Sequence, residues 1–182
     1  MFIHCGSGIS ECACILCVEK NRFKASAHYV FKGFCGINTS EGDVMMKVGV
    51  EGFNFDSAHY TKGSSEKCLN LHGHTFRLDV EVEGEIDPET GMIIDFTLMK
   101  NTVKEILADY DHKVIVPKRD IDNVILSGPF HKCVKTIDYP EATTEYIALD
   151  IAKRLYEKFK KKVKVKLYEG NRNYVIVEHP ST

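Results

Sequence analysis

His59, Cys68, His72 and His74 stand close together in the chain, and their types suit metal-assisted chemistry. His72-Gly73-His74 opens a stretch that alternates apolar and charged residues. An extended backbone therefore sends both imidazoles to one face, with Gly73 leaving space between them. His59 closes an earlier strand-like stretch, and if the two strands pair through the 60s loop it is delivered to the same patch. Three imidazoles converging at a strand end suit zinc, and three protein ligands leave a fourth position open for a substrate, as in catalytic zinc sites. A lone histidine is better read as a satisfied or exposed residue. A His-x-His pair with a third histidine and a nearby cysteine favours the metal.

Cys68 taken alone reads as a small buried hydrophobe. Beside the Lys67 cation, and in a loop, it becomes a candidate base or nucleophile. Asp111-His112-Lys113 ends a helical stretch, where a cation is favourable in any case; the pair acts chemically only if the backbone turns both side chains toward one pocket. Glu169 ends an apolar strand just before a turn. It reads either as an anchor for a hydrogen-bonding ligand or as a solvent-facing strand end.

The elements that must carry these groups are legible from Val48 onward. Val48 to Phe55 is strand-like, and Thr75 to Gly84 alternates as a sheet with one wet face does. Asp87-Pro88-Glu89-Thr90-Gly91 is turn chemistry. Asp95 reads as the N-cap of a helix whose apolar stripe is Leu98, Val103, Ile106, Leu107 and Tyr110. A second helix starts near Thr143-Thr144-Glu145, where a threonine can cap, and buries Ile147, Ala148, Ile151, Leu155 and Phe159. Val163 to Tyr168 and Tyr174 to Glu178 read as two closing strands across a turn at Gly170. The order β-β-α-α-β-β predicts an α+β domain, an antiparallel sheet with two helices on one face, whose open edges favour self-association. The stretch 114–142 reads as an insertion containing a hairpin, built on 123–126 and 131–137. The lysine-rich run from Lys158 to Lys166 reads as a solvated helix end feeding a strand.

Residues 1–45 lack this regularity and form an N-terminal extension to a domain spanning 46–182. Five of the chain's seven cysteines fall there, at Cys5, Cys12, Cys14, Cys17 and Cys35, with a spacing that matches no standard paired zinc pattern. A methionine pair precedes the first clear strand, so we expect natural translation to start at Met45 or Met46. The tetrapeptide Ser57-Ala58-His59-Tyr60 has an earlier copy, Ser26-Ala27-His28-Tyr29, but only the second has a strand before it and Cys68, His72 and His74 behind it. A net charge of −2 gives no electrostatic reason to expect nucleic acid or an anionic membrane as partner. Without an apolar run of membrane-spanning length or a signal-peptide pattern, the expected location is the cytoplasm, where the cysteines remain free thiols.

The chain resembles the 6-pyruvoyltetrahydropterin synthases and their bacterial and archaeal relatives, the 6-carboxytetrahydropterin synthases of 7-deazaguanine (queuosine and archaeosine) biosynthesis. The resemblance runs from about Met46 to Glu178. It is carried by Phe55-Asp56-Ser57-Ala58-His59, Cys68-x3-His72-Gly73-His74, Gly91-Met92-Ile93-Ile94-Asp95-Phe96, Asp111-His112-Lys113, Thr143-Thr144-Glu145 and Tyr168-Glu169. It implies a tunnelling-fold subunit whose sheets join edge to edge into an oligomeric barrel, a trimer or a stacked homohexamer, with active sites between subunits. It implies Zn2+ held by His59, His72 and His74, Cys68 as the proton-abstracting thiolate with Asp111 and His112 as partners in proton transfer, and Glu169 as the pterin anchor, helped by Thr143 and Thr144. The implied substrate is 7,8-dihydroneopterin triphosphate. The implied reaction is a lyase step that releases triphosphate and, in the carboxy synthases, also acetaldehyde, leaving 6-carboxy-5,6,7,8-tetrahydropterin. The four-residue step from Cys68 to His72 resembles the carboxy synthases, the pyruvoyl enzymes tending to a longer one. The alternatives are a 6-pyruvoyltetrahydropterin synthase, which stops after triphosphate elimination, and a pterin-binding protein without turnover.

Overall fold

A computed structural model describes residues 45–63 and 65–181. The expectations for the N-terminal cysteines and for the first Ser-Ala-His-Tyr copy lie outside these residues. The elements follow the order β1 (Met46–His59), β2 (His72–Gly84), α1 (Phe96–Leu107), β3 (Lys113–Pro117), β4 (Val134–Ile137), α2 (Thr144–Phe159), β5 (Lys162–Glu169) and β6 (Asn173–His179), with single 3-10 turns at Glu66–Leu69 and Lys118–Asn123.

The strands form one six-stranded sheet in the order β4-β3-β1-β2-β5-β6. The pairs β1·β2, β2·β5 and β5·β6 are antiparallel, as the alternation predicts. On its apolar face Phe55, Phe76, Leu78, Val80, Val82, Val163, Val165 and Leu167 are all buried, packed with Met99, Val103 and Ile106 of α1 and Ile147, Ile151 and Leu155 of α2. The other face is a ladder of opposite charges, Lys164 with Glu81 at 3.0 Å, Lys47 with Glu83 at 3.3 Å and Lys162 with Glu178 at 3.3 Å. Half of the lysine-rich run thus belongs to the wet face of β5, and the helix itself ends at Lys160, a left-handed residue (φ 53°) whose N–H bonds back to Tyr156.

Three expectations need correction. The sheet is mixed, because β3 pairs parallel with β1 and β4 parallel with β3. The insertion is therefore no hairpin: its strands point the same way, and residues 118–133 provide the dozen or more residues that a parallel crossover requires. The apolar run 123–126 misled because it lies outside the sheet, with Ile125 88% exposed. The strand is instead Lys113–Pro117, which follows the Asp111-His112 pair without a break. In α1 the stripe is shifted as well. Leu98 is 54% exposed and Met99 takes its place in the core, since Met99, Val103, Ile106 and Tyr110 keep the i, i+4, i+7 spacing of one helix face. Asp95 does cap α1, its carboxylate accepting from the Leu98 N–H at 2.8 Å.

The strand pair that carries the histidines contains one irregularity. Val50 lies opposite Val80, but the next pair is Phe53 with Leu78, so β1 holds an extra residue at Glu51-Gly52. Gly52 has φ +79°, and its N–H donates to the Asp79 carboxylate at 2.9 Å. Before this bulge the even-numbered residues Val48 and Val50 face the helices; after it the odd-numbered Phe53, Phe55, Ser57 and His59 do. An added Cβ at Gly52 meets nothing within 4 Å, so its conformation alone demands glycine there. At Gly73 an added Cβ meets only the Ser57 carbonyl, at 3.7 Å, so crowding within the chain does not require glycine between the two histidines. Accordingly, Gly52→Ala should cost about 1–2 kcal/mol in chemical denaturation, whereas Gly73→Ala should stay within about 0.5 kcal/mol of the parent.

Candidate functional site

The register of β1 and β2 places His59 directly opposite His72. His72 and His74 alternate with Gly73 and share the helix-side face with Phe76. The three imidazoles meet at the end of this ribbon, with ring centroids 4.8 Å (His59–His72), 4.9 Å (His72–His74) and 5.2 Å (His59–His74) apart. One nitrogen from each lies within 4.8 Å of the others. His59 is only 2% exposed and its Nδ1 donates to the Ala142 carbonyl at 2.8 Å; the Nδ1 of His72 donates to the Asn70 carbonyl at 2.7 Å. A carbonyl can only accept, so both rings carry the proton on Nδ1 and offer a bare Nε2, the arrangement that metal-bound histidines use. The Nε2 atoms of His59 and His74 are buried without a hydrogen-bond partner. Such orphaned atoms are costly unless something else meets them, and a neutral tri-imidazole set is a donor set for zinc or a similar divalent ion. The three histidines thus form a group able to hold a metal.

Beside this group lies a cleft lined by His59, Thr61, Cys68, His72, Thr143, Thr144 and Glu169, with Glu145, Asn173, Tyr174 and Val175 completing the wall. Cys68 is half-buried on the 3-10 turn between β1 and β2. The turn is tied down by its backbone, the Thr61 N–H donating to the Cys68 carbonyl at 2.8 Å and the Cys68 N–H to Ser65 at 3.0 Å. Glu169 ends β5 opposite Phe76, which puts its carboxylate next to His74. The His74 Nε2 to Glu169 Oε1 separation is 3.4 Å, yet the two are not aligned for a hydrogen bond, and we take the histidine nitrogen as unpartnered. The other oxygen of Glu169 accepts from the Thr144 hydroxyl at the start of α2. Thr143 occupies the N-cap position of α2, but its side chain makes no capping bond.

His112 lines a different cavity, bordered by Asp56, Gly73, His74 and Thr75, and Asp111 clusters with His112 and Asp56 at its edge. The turn that the pair needs is present. His112 has φ 56°, a left-handed conformation rare outside glycine and asparagine, and its N–H donates to the Asp56 carbonyl at 2.6 Å. This bends the pair so that His112 Nδ1 donates to Asp111 at 2.9 Å, leaving Nε2 free on a side chain that is 78% exposed. The backbone N–H of Asp56, hydrogen-bonded to the carboxylate at 3.0 Å, holds the Asp111 carboxyl below its ordinary value, and His112 adds to the effect. Within one chain, then, Cys68 and the Asp111-His112 pair do not share a pocket.

A family model described as 6-pyruvoyl tetrahydropterin synthase matches residues 48–180. The chain belongs to the 6-pyruvoyl tetrahydropterin synthase family. A Pyrococcus horikoshii protein provisionally named 6-carboxy-5,6,7,8-tetrahydropterin synthase is 36% identical over 137 residues, covering 68% of this chain and 84% of that one. The 6-carboxy-5,6,7,8-tetrahydropterin synthase of Haemophilus influenzae is 35% identical over 121 residues, covering 64% and 83%. A Pyrococcus furiosus relative with 36% identity over 121 residues, covering 65% and 85%, is named dihydroneopterin monophosphate aldolase. Among solved structures, the 6-pyruvoyltetrahydropterin synthase of Plasmodium vivax superposes with a TM-score of 0.62 at 25% identity, over 75% of this chain and 99% of that one. The chain has the tunnelling fold of this family. As a family member it is a pterin synthase, and its three-histidine group gives it a place for a metal. No helix of the described residues is long and apolar enough to cross a membrane.

Several residues of this 6-pyruvoyl tetrahydropterin synthase family member escaped the reading of its sequence. Asp56 and Thr75 shape the His112 cavity, the Thr75 hydroxyl donating to Asp56 at 2.5 Å. Glu145 and Tyr174 stand in the cleft wall, and the available signals were an acid directly after two threonines and an aromatic at a strand start. Ala142 carries no signal at all, because its carbonyl does the work.

Burial lowers the His59 pKa from its ordinary 6.5, and the Ala142 carbonyl offsets this only in part. The folded metal-free protein therefore takes up a proton at His59 less readily than the unfolded chain does. The stability tied to this group is complete above 6.5 and is lost as pH falls toward the lowered value. Thermal melts of metal-free protein should show a steeper loss of Tm on acidification below 6.5 for the parent than for His59→Gln.

Proposed function

We propose that the protein is a zinc-dependent lyase that converts 7,8-dihydroneopterin triphosphate to 6-carboxy-5,6,7,8-tetrahydropterin, releasing triphosphate and acetaldehyde, a step of 7-deazaguanine biosynthesis in the cytoplasm. The observation that carries this reading is the juxtaposition of a bare tri-imidazole set with a cysteine and an anchored glutamate in one cleft. Relatives named for the carboxy activity support it. Zinc bound by His59, His72 and His74 would polarise a substrate oxygen and acidify the neighbouring C–H and O–H groups.

The chain's own residues supply the rest. Glu169, oriented by the Thr144 hydroxyl, presents a carboxylate edge to the N–H donors of a pterin ring, with Thr143 beside it. Cys68 faces the same cleft and takes a proton from the substrate side chain. Asp111 accepts from His112 Nδ1, which keeps His112 Nε2 available to give or receive the next proton. For these two to act with Cys68 they must come from a neighbouring subunit. A trimer or hexamer in which chains meet at sheet edges provides that neighbour.

Incubation with the triphosphate, with and without a chelator, and mass analysis of the products test the activity. Carboxytetrahydropterin with acetaldehyde is the expected outcome; a pyruvoyl product would move the assignment to 6-pyruvoyltetrahydropterin synthase. A second reading, aldol cleavage of dihydroneopterin monophosphate, is favoured by the Pyrococcus furiosus relative and predicts turnover of the monophosphate without phosphate release. Binding without turnover of either would leave a pterin-binding protein. Cys68→Ala should lose turnover by at least about 100-fold with metal content unchanged, whereas His72→Ala should lose the metal. Mixed oligomers of Cys68→Ala and His112→Ala chains should recover activity that neither variant has alone, and a relay confined to one chain would recover none.

A further inference from the structure

We propose that the segment joining β3 to α2 is a clamp that fixes the orientation and tautomer of His59, with Arg119 and Glu141 as its positioning residues. The geometry of the clamp stands without a metal; its consequence for affinity rests on the reading of His59 as a ligand.

The argument starts at the Ala142 carbonyl. It accepts from His59 Nδ1 at 2.8 Å, and both residues are buried, at 0% and 2% exposure. This bond leaves His59 Nε2 bare and directed toward His72 and His74. Ala142 sits in the connection 138–143 between β4 and α2, where an untethered loop would let the carbonyl drift. Its neighbour Glu141 prevents this. One carboxylate oxygen of Glu141 accepts from the Arg119 guanidinium at 2.5 Å, and the other lies 3.4 Å from the Lys62 backbone N–H.

Arg119 and Asp120 share the 3-10 turn that follows β3, and the Arg119 Nε lies 3.4 Å from the Asp120 carboxylate. Asp120 in turn accepts from the Tyr60 hydroxyl at 2.9 Å. Tyr60 and Lys62 come directly after His59, so the residues behind the histidine grip the same segment whose carbonyl grips its ring. Thr61, between them, donates to the Cys68 carbonyl, which extends the brace to the turn that carries the cysteine. The carboxylates of Glu141 and Asp120 are only 20% and 24% exposed, unlike the nearby Lys118–Asp138 pair at 70% and 84%. Partly shielded and joined in a network, they meet the conditions under which ion pairs hold geometry. A ligand held in its binding tautomer needs little ordering when the metal arrives, and partners that orient ligands affect metal affinity accordingly.

The test uses the full chain with 15N-histidine labelling, and the variants Arg119→Ala, Arg119→Lys, Glu141→Gln and, as a control in the same segment that contacts neither Glu141 nor Asp120, Lys118→Ala. In metal-free protein, long-range 1H–15N correlations report the His59 tautomer. Chelator competition and the visible absorption of bound Co2+ report affinity and ligand geometry. The parent and Lys118→Ala should show a single Nδ1–H tautomer. Arg119→Ala and Glu141→Gln should show a mixed tautomer, an altered Co2+ spectrum and an affinity lower by about 10–100-fold. Arg119→Lys should recover part of the loss, because lysine restores the charge but not the fork. Glu141→Gln preserves size and shape, so it decides the matter even if Arg119→Ala fails to fold. Parent-like tautomer and affinity in Glu141→Gln would overturn the clamp, as would an equal loss in Lys118→Ala. If the parent takes up no Co2+, the metal reading falls and the tautomer comparison still judges the clamp.

Discussion

The side-chain alternation of the β1·β2 ribbon is the constraint from which the rest follows. Two strands in antiparallel register present their residues in pairs, and a shift of one residue sends every later side chain to the opposite face. The extra residue at Glu51-Gly52 makes this shift once. Without it, Val48 and Val50 could face the helices only if Phe55 and His59 faced the solvent. With it, the first half of β1 contributes valines to the core and the second half contributes Phe55, Ser57 and His59. Phe55 then stacks on Phe76 at 5.0 Å, and the histidines continue the same face one step further along the strands. The three-histidine group is thus the last layer of the core face, next after Phe76, and the Nε2 atoms of His59 and His74 are buried there.

That position also explains why the two candidate chemistries occupy opposite sides of one ribbon. Beyond the bulge the odd-numbered residues of β1 face the helices, so Ser57 and His59 point inward, while Asp56, directly before Ser57, points outward. Asp56 then uses its backbone to hold Asp111 and His112 at the wet face, and Ser57 donates to the Tyr110 carbonyl just before them at 2.5 Å. One stretch of β1, Asp56 to His59, therefore positions both a candidate metal ligand and a candidate proton-transfer pair. Under the proposed chemistry, groups divided in this way would act together only where a second chain presents the missing half.

Legibility in the sequence followed the range of the interactions. The His72-x-His74 pair, the Asp95 cap, the buried face of α2 and the four antiparallel strands rest on local periodicity and short spacings, which a single sequence displays. The parallel addition of β3 and β4 does not, because nothing in Lys113–Pro117 or Val134–Ile137 encodes which edge they join or in which direction. The 123–126 run shows the complementary error, apolar residues that no neighbour covers. Gly52 was visible as a glycine inside a strand, a pattern that marks bulges, yet its effect on His59 depends on pairing with β2. Ala142 was out of reach altogether, since a backbone carbonyl has no letter of its own.

Differences in how firmly the groups are held suggest a division of labour consistent with the proposed chemistry. His59 and His72 are each fixed by a carbonyl, and Glu169 is fixed by a hydroxyl from α2. These groups would bind and orient, and a fixed geometry serves that purpose. Cys68 is held through its backbone, and His112 through one ring nitrogen, and among the described residues neither the thiol nor the imidazole Nε2 has a hydrogen-bond partner that a proton transfer would have to break. Binding groups locked by second contacts and proton carriers left unencumbered are what a lyase of this type requires. Under the proposed chemistry the left-handed turn at His112 would serve by setting its ring against Asp111 with Nε2 turned outward.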